Sequence, residues 1–139
     1  MRTTIALLAG ALMTAAAPAA APPEPITGRW LTADGSAVVS VGPCGATLCG
    51  RIAQVLKAAP GAPTVDRNNS DPALRNRPIV GLPILTGFTI GNGDWRGRIY
   101  DPRNGKSYKS IVARQPDGNL KVQGCIAFLC QTQTWRPAR

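Results

Sequence analysis

Gly28-Arg29-Trp30 and Trp135-Arg136 stand at the two ends of a series of short alternating runs, which Gly, Pro, Asn and Asp residues separate. A closed β-barrel must pair its first and last strands, and a Gly-x-Trp on one strand with an Arg on the other suits that junction. Arg136 can place its planar guanidinium over the Trp30 indole and donate to carbonyls at the barrel rim. We therefore predict that Trp30 and Arg136 close a barrel.

The runs between these motifs predict about eight strands, joined by short turns except at residues 57–78. Residues 79–90 contain Gly81, Pro83 and Gly87, so we expect at most one edge-like strand from them. Regular hairpins with one apolar face predict a small up-and-down antiparallel β-barrel of the lipocalin or streptavidin type. A β-sandwich, which needs longer crossings between strands, is the alternative.

Residues 1–19 have the pattern of a cleavable signal peptide. Arg2 gives a positive start, residues 3–17 are apolar, and Ala17-Pro18-Ala19 fits the small-x-small rule for cleavage. The apolar run is too short to span about 30 Å of hydrocarbon, which favours a secretory signal over a membrane anchor. We predict a Pro-rich tail at residues 20–27, one barrel domain at residues 28–139, and a location in the bacterial periplasm or outside the cell.

The four cysteines repeat one spacing, Cys44-Gly-Ala-Thr-Leu-Cys49 and Cys125-Ile-Ala-Phe-Leu-Cys130. In an oxidising compartment an even number of cysteines at a repeated spacing predicts disulfides. A zinc site is the alternative, but the gap is at the edge of the usual ligand spacing and the chain contains no His. We favour the local pairs, Cys44 with Cys49 and Cys125 with Cys130, because facing Cα atoms of a hairpin lie at bridging distance.

The charge of the chain is strongly basic, with 16 Lys and Arg against 7 Asp and Glu and a formal net charge of +9. The positive residues are scattered, which indicates weak attraction to anionic lipid or polysaccharide of the cell envelope. Nucleic acid is excluded as a partner, because an exported chain without a recognition motif or interleaved aromatic residues does not fit that class.

The residue types that catalysis needs are scarce. The chain has no His, its cysteines are predicted to be oxidised, and every aspartate except Asp66 lies in a turn context that already explains it. Residues 66–71 resemble the start of a calcium loop, but Asp71 replaces the glycine and Arg77 replaces the bidentate glutamate of an EF-hand. We therefore predict no catalytic residue, no metal and no cofactor, and a hydrogen-bonded loop that caps a helical turn.

The hairpin of residues 95–113 is the richest in side chains that recognise ligands. If Tyr100 faces Lys106, then Arg98 faces Tyr108, and one face carries a ladder of cations and aromatic rings. This ladder is either a plain exposed surface or the polar lining of a cavity. We name Arg77, Arg98, Tyr100 and Tyr108 as the candidate ligand-binding residues.

Several stretches together resemble a widespread family of secreted bacterial proteins, domain of unknown function 2147, from Gly28 to Arg136. The matching stretches are Gly28-Arg29-Trp30, Cys49-Gly50-Arg51-Ile52, Asp66 with Asn68 and Asn69, Arg77-Pro78-Ile79-Val80-Gly81-Leu82, Tyr100-Asp101-Pro102 with Gly105-Lys106 and Tyr108, Leu120-Lys121-Val122 with Gly124, and Gln131-Thr132-Gln133-Thr134-Trp135-Arg136. The resemblance implies an exported, compact β-rich domain, often with the cysteine pairs. It brings no established activity or catalytic residues.

These observations favour a non-catalytic binding module for a small amphipathic or anionic ligand, because barrels of this size hold at most one small molecule. The alternative is a structural or interaction protein of the cell envelope that uses its basic surface and binds no small molecule.

Overall fold

Eight antiparallel strands form the barrel in the computed structural model, which describes residues 9–18 and 21–139. The strands are β1 (Gly28–Leu31), β2 (Ala37–Cys44), β3 (Thr47–Val55), β4 (Pro83–Ile90), β5 (Trp95–Asp101), β6 (Lys106–Arg114), β7 (Leu120–Ile126) and β8 (Leu129–Pro137). Each strand pairs with the next and β8 pairs with β1, which confirms the up-and-down barrel and excludes the sandwich. The predicted signal peptide lies partly outside the described residues, and its predicted cleavage point wholly so.

Strand β4 is longer and more central than the sequence predicts. It pairs with β3 on one side and β5 on the other, so it is not an edge strand. Pro83 is its first residue, where the missing N–H matters least, and Gly87 lies at a shift of register between Thr86 and Thr89 with φ of 66°. Pro83 and Gly87 are therefore placed where a strand tolerates them, and Gly81 lies before the strand begins.

The apolar faces of the strands enclose one core. Its buried members are Ile26, Trp30, Val39, Val41, Ile52, Leu82, Ile84, Leu85, Phe88, Val112, Leu120, Val122 and Trp135. The N-terminal tail covers one end of this core, because Trp30 Nε1 donates to the Ile26 carbonyl at 2.9 Å and Trp95 Nε1 donates to the Glu24 carbonyl at 3.0 Å. Since β1 and β5 lie on opposite sides of the ring, the tail spans that end of the barrel.

The barrel closes through a short junction between β1 and β8. In the register of the described residues only Trp30 with Pro137 and Leu31 with Arg136 pair across it. The preceding residues of β8, Leu129–Thr134, are exposed on both faces of the strand. Most of β8 therefore has a neighbouring strand on the β7 side alone, although the ring as a whole is closed.

The predicted stack of Arg136 on Trp30 is wrong. Arg136 lies opposite Leu31, and side chains alternate along a strand, so Arg136 projects from the other face of the sheet than Trp30. The guanidinium over the Trp30 ring belongs to Arg114, at 5.4 Å from the ring centre. Trp30 itself is buried, and Arg136 is exposed.

The two cysteine pairs are local. Cys44 bonds Cys49 at the β2–β3 turn, with Cα atoms 5.6 Å apart, and Cys125 bonds Cys130 at the β7–β8 turn, with Cα atoms 4.0 Å apart. Each disulfide holds a hairpin turn, so the oxidised pairs brace the two turns. Disulfides of this kind are typical of oxidising, extracytoplasmic compartments.

Candidate functional site

The long connection between β3 and β4 folds back as an ordered loop around Asp66. The Asp66 N–H donates to the Arg77 carbonyl at 2.8 Å, and Val65 pairs with Pro78, so the two ends of the loop run side by side. A short 3-10 helix, Pro72–Leu74, follows Asp71, whose carboxylate accepts from the Ala73 N–H at 3.0 Å. This is the capped helical turn that the Asp-Pro pair predicts.

Asp66 is fully buried and accepts three hydrogen bonds from side chains. Tyr100 Oη donates to Oδ1 at 2.6 Å, while Asn69 Nδ2 and Arg77 Nη2 donate to Oδ2 at 2.8 and 3.1 Å. A buried carboxylate is stable only when its oxygens are satisfied and its charge is paired, and here both conditions are met. The Asp66 network therefore fastens the loop to strand β5.

Burial and hydrogen bonding act in opposite directions on Asp66. Desolvation by itself would raise the pKa of the carboxyl, but the bonds from Tyr100, Asn69 and Arg77, with the Arg77 charge, lower the pKa below its usual value. Desolvation, and after it the hydrogen bond and charge of Asp66, raise the pKa of Tyr100 to about 12. At neutral pH the pair is a carboxylate and a neutral phenol.

A second contact holds the loop against the β5–β6 turn. Asn68 Nδ2 donates to the carbonyls of Pro102 and Arg103 at 3.2 and 3.1 Å. Gly105 has φ of 71°, and a side chain there would collide with the Asn68 backbone, so only glycine fits. The loop and the turn are thus packed together as one wall.

An open groove lies between this wall and the barrel, with a volume of about 380 Å³. Most of its lining is polar: Asn69, Ser70, Arg77, Pro83, Thr86, Tyr100, Gly105 and Ser107. Asp66 fixes one end of the Arg77 guanidinium, and the Arg77 side chain is 36% exposed. No carboxylate is among these lining residues, so the groove presents a held cation and hydroxyl groups to solvent.

Two of the four candidate ligand-binding residues line this groove, and a third contacts one of its lining residues. Arg77 and Tyr100 line it, and Arg98 Nη2 donates to the carbonyl of Ser107, a lining residue, at 3.3 Å. Tyr108 lies elsewhere, opposite Ile99, on the face of the sheet that turns toward the core. Its hydroxyl accepts from Asn104 Nδ2 at 3.0 Å.

The separation of Tyr108 from Tyr100 comes from the hairpin register, which we predicted wrongly by one residue. Tyr100 pairs with Ser107, and Asp101 pairs with Lys106. A shift of one residue moves every partner side chain to the other face of the sheet. The continuous ladder of Arg98, Tyr100 and Tyr108 therefore does not form.

The sequence did not assign Asp66 or Asn69 to the site. The signal for Asp66 was present, because it is the aspartate that no turn context explains. Its partners stand at residues 69, 77 and 100, on the loop and on strand β5, and no sequence pattern links those positions. Ser107 and Thr86 carried no signal, since each is an ordinary small polar residue of a strand.

A second open groove, of about 530 Å³, lies near the β1–β8 junction. Its lining combines arginines, apolar residues and two amides: Arg29, Leu31, Val38, Gln54, Leu56, Asn119, Arg136, Pro137, Ala138 and Arg139. Within residues 9–18 and 21–139, no group of three His, Cys, Asp or Glu side chains is arranged to hold a metal ion. The same ranges contain no helix with the length and apolar character needed to cross a bilayer.

The family model for an uncharacterised protein conserved in bacteria, domain of unknown function 2147 (DUF2147), matches residues 28–136. The chain belongs to this family. The DUF2147 match runs from the first residue of β1 to Arg136 of β8, so it includes the barrel, the Asp66 network and both disulfides.

The barrel of this DUF2147 protein is similar to that of HP1028 from the human pathogen Helicobacter pylori, a protein described as belonging to the lipocalin family. The two are 21% identical with a TM-score of 0.69, over 83% of this chain and 84% of HP1028. At that identity the likeness shows the fold. No curated protein matches the chain.

Proposed function

We propose that this DUF2147 protein is an exported, non-catalytic binding protein that holds a small anionic molecule in the groove beside Asp66. The observation that carries the proposal is Arg77, whose guanidinium is anchored by a buried carboxylate and faces a polar groove of about 380 Å³. That volume lies within the range of small-molecule sites, roughly 300–1,000 Å³.

The chemistry of the groove favours an anion. A guanidinium fixed by one ion pair keeps further N–H donors, and its planar arrangement suits carboxylate and phosphate oxygens. Arg98 adds a second positive charge at the groove edge, and the hydroxyls of Ser70, Thr86 and Ser107 add donors. The lipocalin-like barrel supports a binding role.

Two disulfides and the signal-like start support export to the periplasm or the medium. We propose that residues 1–19 are removed on export, which leaves the Pro-rich tail of residues 20–27 and the barrel of residues 28–139.

Native mass spectrometry of the protein taken from its own periplasm tests the proposal. The wild type is expected to retain a small anionic molecule. Arg77→Gln should weaken retention by more than tenfold, since a charge-assisted hydrogen bond contributes about 1.5–3 kcal/mol. Ser107→Leu should abolish retention by filling the groove, with no change in the Asp66 contacts.

Arg67→Gln is the matched control, because Arg67 is exposed on the same loop and does not line the groove. It should retain the molecule as the wild type does. A wild-type protein with no bound molecule would contradict the proposal, and so would a Ser107→Leu protein that keeps the same bound mass.

The second candidate function is that of an interaction protein of the cell envelope without a small ligand. The filled interior of the barrel favours it, because core side chains occupy the space where barrels of this type can hold a molecule.

A further inference from the structure

The β7–β8 hairpin ends in four apolar residues, Ile126-Ala127-Phe128-Leu129, directly beyond the Cys125–Cys130 disulfide. Ile126 is 67%, Phe128 90% and Leu129 69% exposed. Apolar side chains grouped at one exposed point are uncommon on a soluble domain and mark surfaces that contact something apolar. We call these four residues the hairpin tip.

Turn formation does not explain the composition of the hairpin tip. The other five hairpin turns each contain a glycine with positive φ: Gly35, Gly45, Gly93, Gly105 and Gly118. The tip has Ala127 instead, at φ of 52°, the sole non-glycine residue with positive φ in the described ranges. Glycine or asparagine would relieve that strain, and a polar residue would remove the exposed ring of Phe128. The sequence of the tip therefore serves a purpose other than the turn.

Positive side chains flank the tip on the outer wall of the barrel. Lys109 lies opposite Cys125, and Arg98 lies opposite Lys109 in the next strand. Both are exposed, and neither forms an ion pair with a described residue. At a bilayer surface, anionic headgroups lie outside the hydrocarbon. An apolar tip could therefore reach the hydrocarbon while the positive side chains behind it contact the headgroups.

We propose that the hairpin tip inserts into the surface of a bilayer that contains anionic lipids, with Lys109 and Arg98 against the headgroups. Ile126 and Leu129 form the last strand pair of the hairpin, and Ala127 and Phe128 lie beyond it, so the tip is a convex end rather than the lining of a groove, which suits a bilayer surface. The disulfide restrains the conformation of the tip, so insertion costs little further conformational entropy. The excess of Lys and Arg over Asp and Glu in residues 20–139 supplies attraction at longer range.

Vesicle co-sedimentation of the oxidised protein tests this proposal, with vesicles of phosphatidylcholine alone and vesicles that contain phosphatidylglycerol as well. Binding should be at least tenfold stronger to the phosphatidylglycerol vesicles. The double variant Phe128→Ser and Leu129→Ser should lose at least tenfold in partitioning, because two exposed apolar side chains no longer enter the interface. Lys109→Gln should lose about fivefold, the effect of one cation near an anionic surface.

Ile90→Ser is the matched control, since Ile90 is 58% exposed and lies in the β4–β5 hairpin, away from the tip. It should bind vesicles as the wild type does, and equal urea midpoints should show that every variant is folded. Equal binding to both vesicle types, or undiminished binding by the double tip variant, would overturn the proposal. Wild-type protein that binds neither type of vesicle but binds another protein through the hairpin tip would also overturn the proposal.

Discussion

Tyr100 and Asp66 show how one contact changes the ionisation of two groups. The phenol donates to the carboxylate at 2.6 Å, so the neutral phenol and the charged carboxylate stabilise each other. Ionising the phenol would place two negative charges together beside the core. The contact therefore favours one protonation state over a wide range of pH.

We predict that Tyr100 ionises with a pKa of about 12. Because its pKa in the folded protein exceeds the ordinary value of 10.0, the contact stabilises the fold fully below about pH 10. That stability is lost as the pH rises through about 12. Ultraviolet titration should show a late step that Tyr100→Phe removes and Tyr108→Phe keeps.

Urea melts give the second readout of the same contact. The wild type should lose more stability than Tyr100→Phe between about pH 10 and pH 12, since the variant has no phenol to ionise at that position. A late step that survives Tyr100→Phe would show that Tyr100 is not the tyrosine with the raised pKa.

The guanidinium over the Trp30 ring comes from Arg114, the last residue of β6, and a double-mutant cycle measures the strength of this contact. Trp30→Ala should cost about 3–5 kcal/mol, as for other large buried aromatic residues. Arg114→Ala should cost about 0.5–1 kcal/mol, and the double variant should be less destabilised than the sum, because each change removes the other's partner. The measurement is the free energy of unfolding in urea.

Arg136→Ala is the comparison arginine for this cycle, since it lies opposite Leu31 and not over the ring. Its effect should add to that of Trp30→Ala within about 0.5 kcal/mol. Coupling between Trp30 and Arg136 with none between Trp30 and Arg114 would contradict the described register.

Hairpins were predictable at the level of the element, while their register was not. Asp, Asn and Gly in the turns indicated where strands end, and the closed barrel followed from the regular hairpins. The β5–β6 register depends instead on Asn104 and Gly105, whose N–H groups both donate to the Asp101 carbonyl and hold Asp101 opposite Lys106. Ile111 and Val112 are both apolar, so the hydrophobic pattern did not discriminate between the two registers.

At the scale of the whole molecule, the groove depends on contacts between distant parts of the chain. Tyr100 and Asp66 are 34 residues apart, and Asn68 reaches Arg103 across 35 residues. Such contacts arise only when the β3–β4 loop folds back over the finished sheet. The sequence therefore indicated the barrel and two residues that line the groove, Arg77 and Tyr100, but it did not indicate that Asp66 joins them.

The short β1–β8 junction has a consequence for the exchange of backbone amides with solvent. Along an antiparallel strand, successive N–H groups point to alternate sides, and between Leu129 and Trp135 strand β8 pairs with β7 alone among the described residues. We predict that every second amide in this stretch exchanges rapidly with deuterium while those between them are protected. Residues 109–112 of strand β6, which pair on both sides, should be protected throughout. Nuclear magnetic resonance measures the exchange of each amide. Uniform protection along β8 would contradict this description, whereas the expected alternation would locate the part of the barrel wall that opens first.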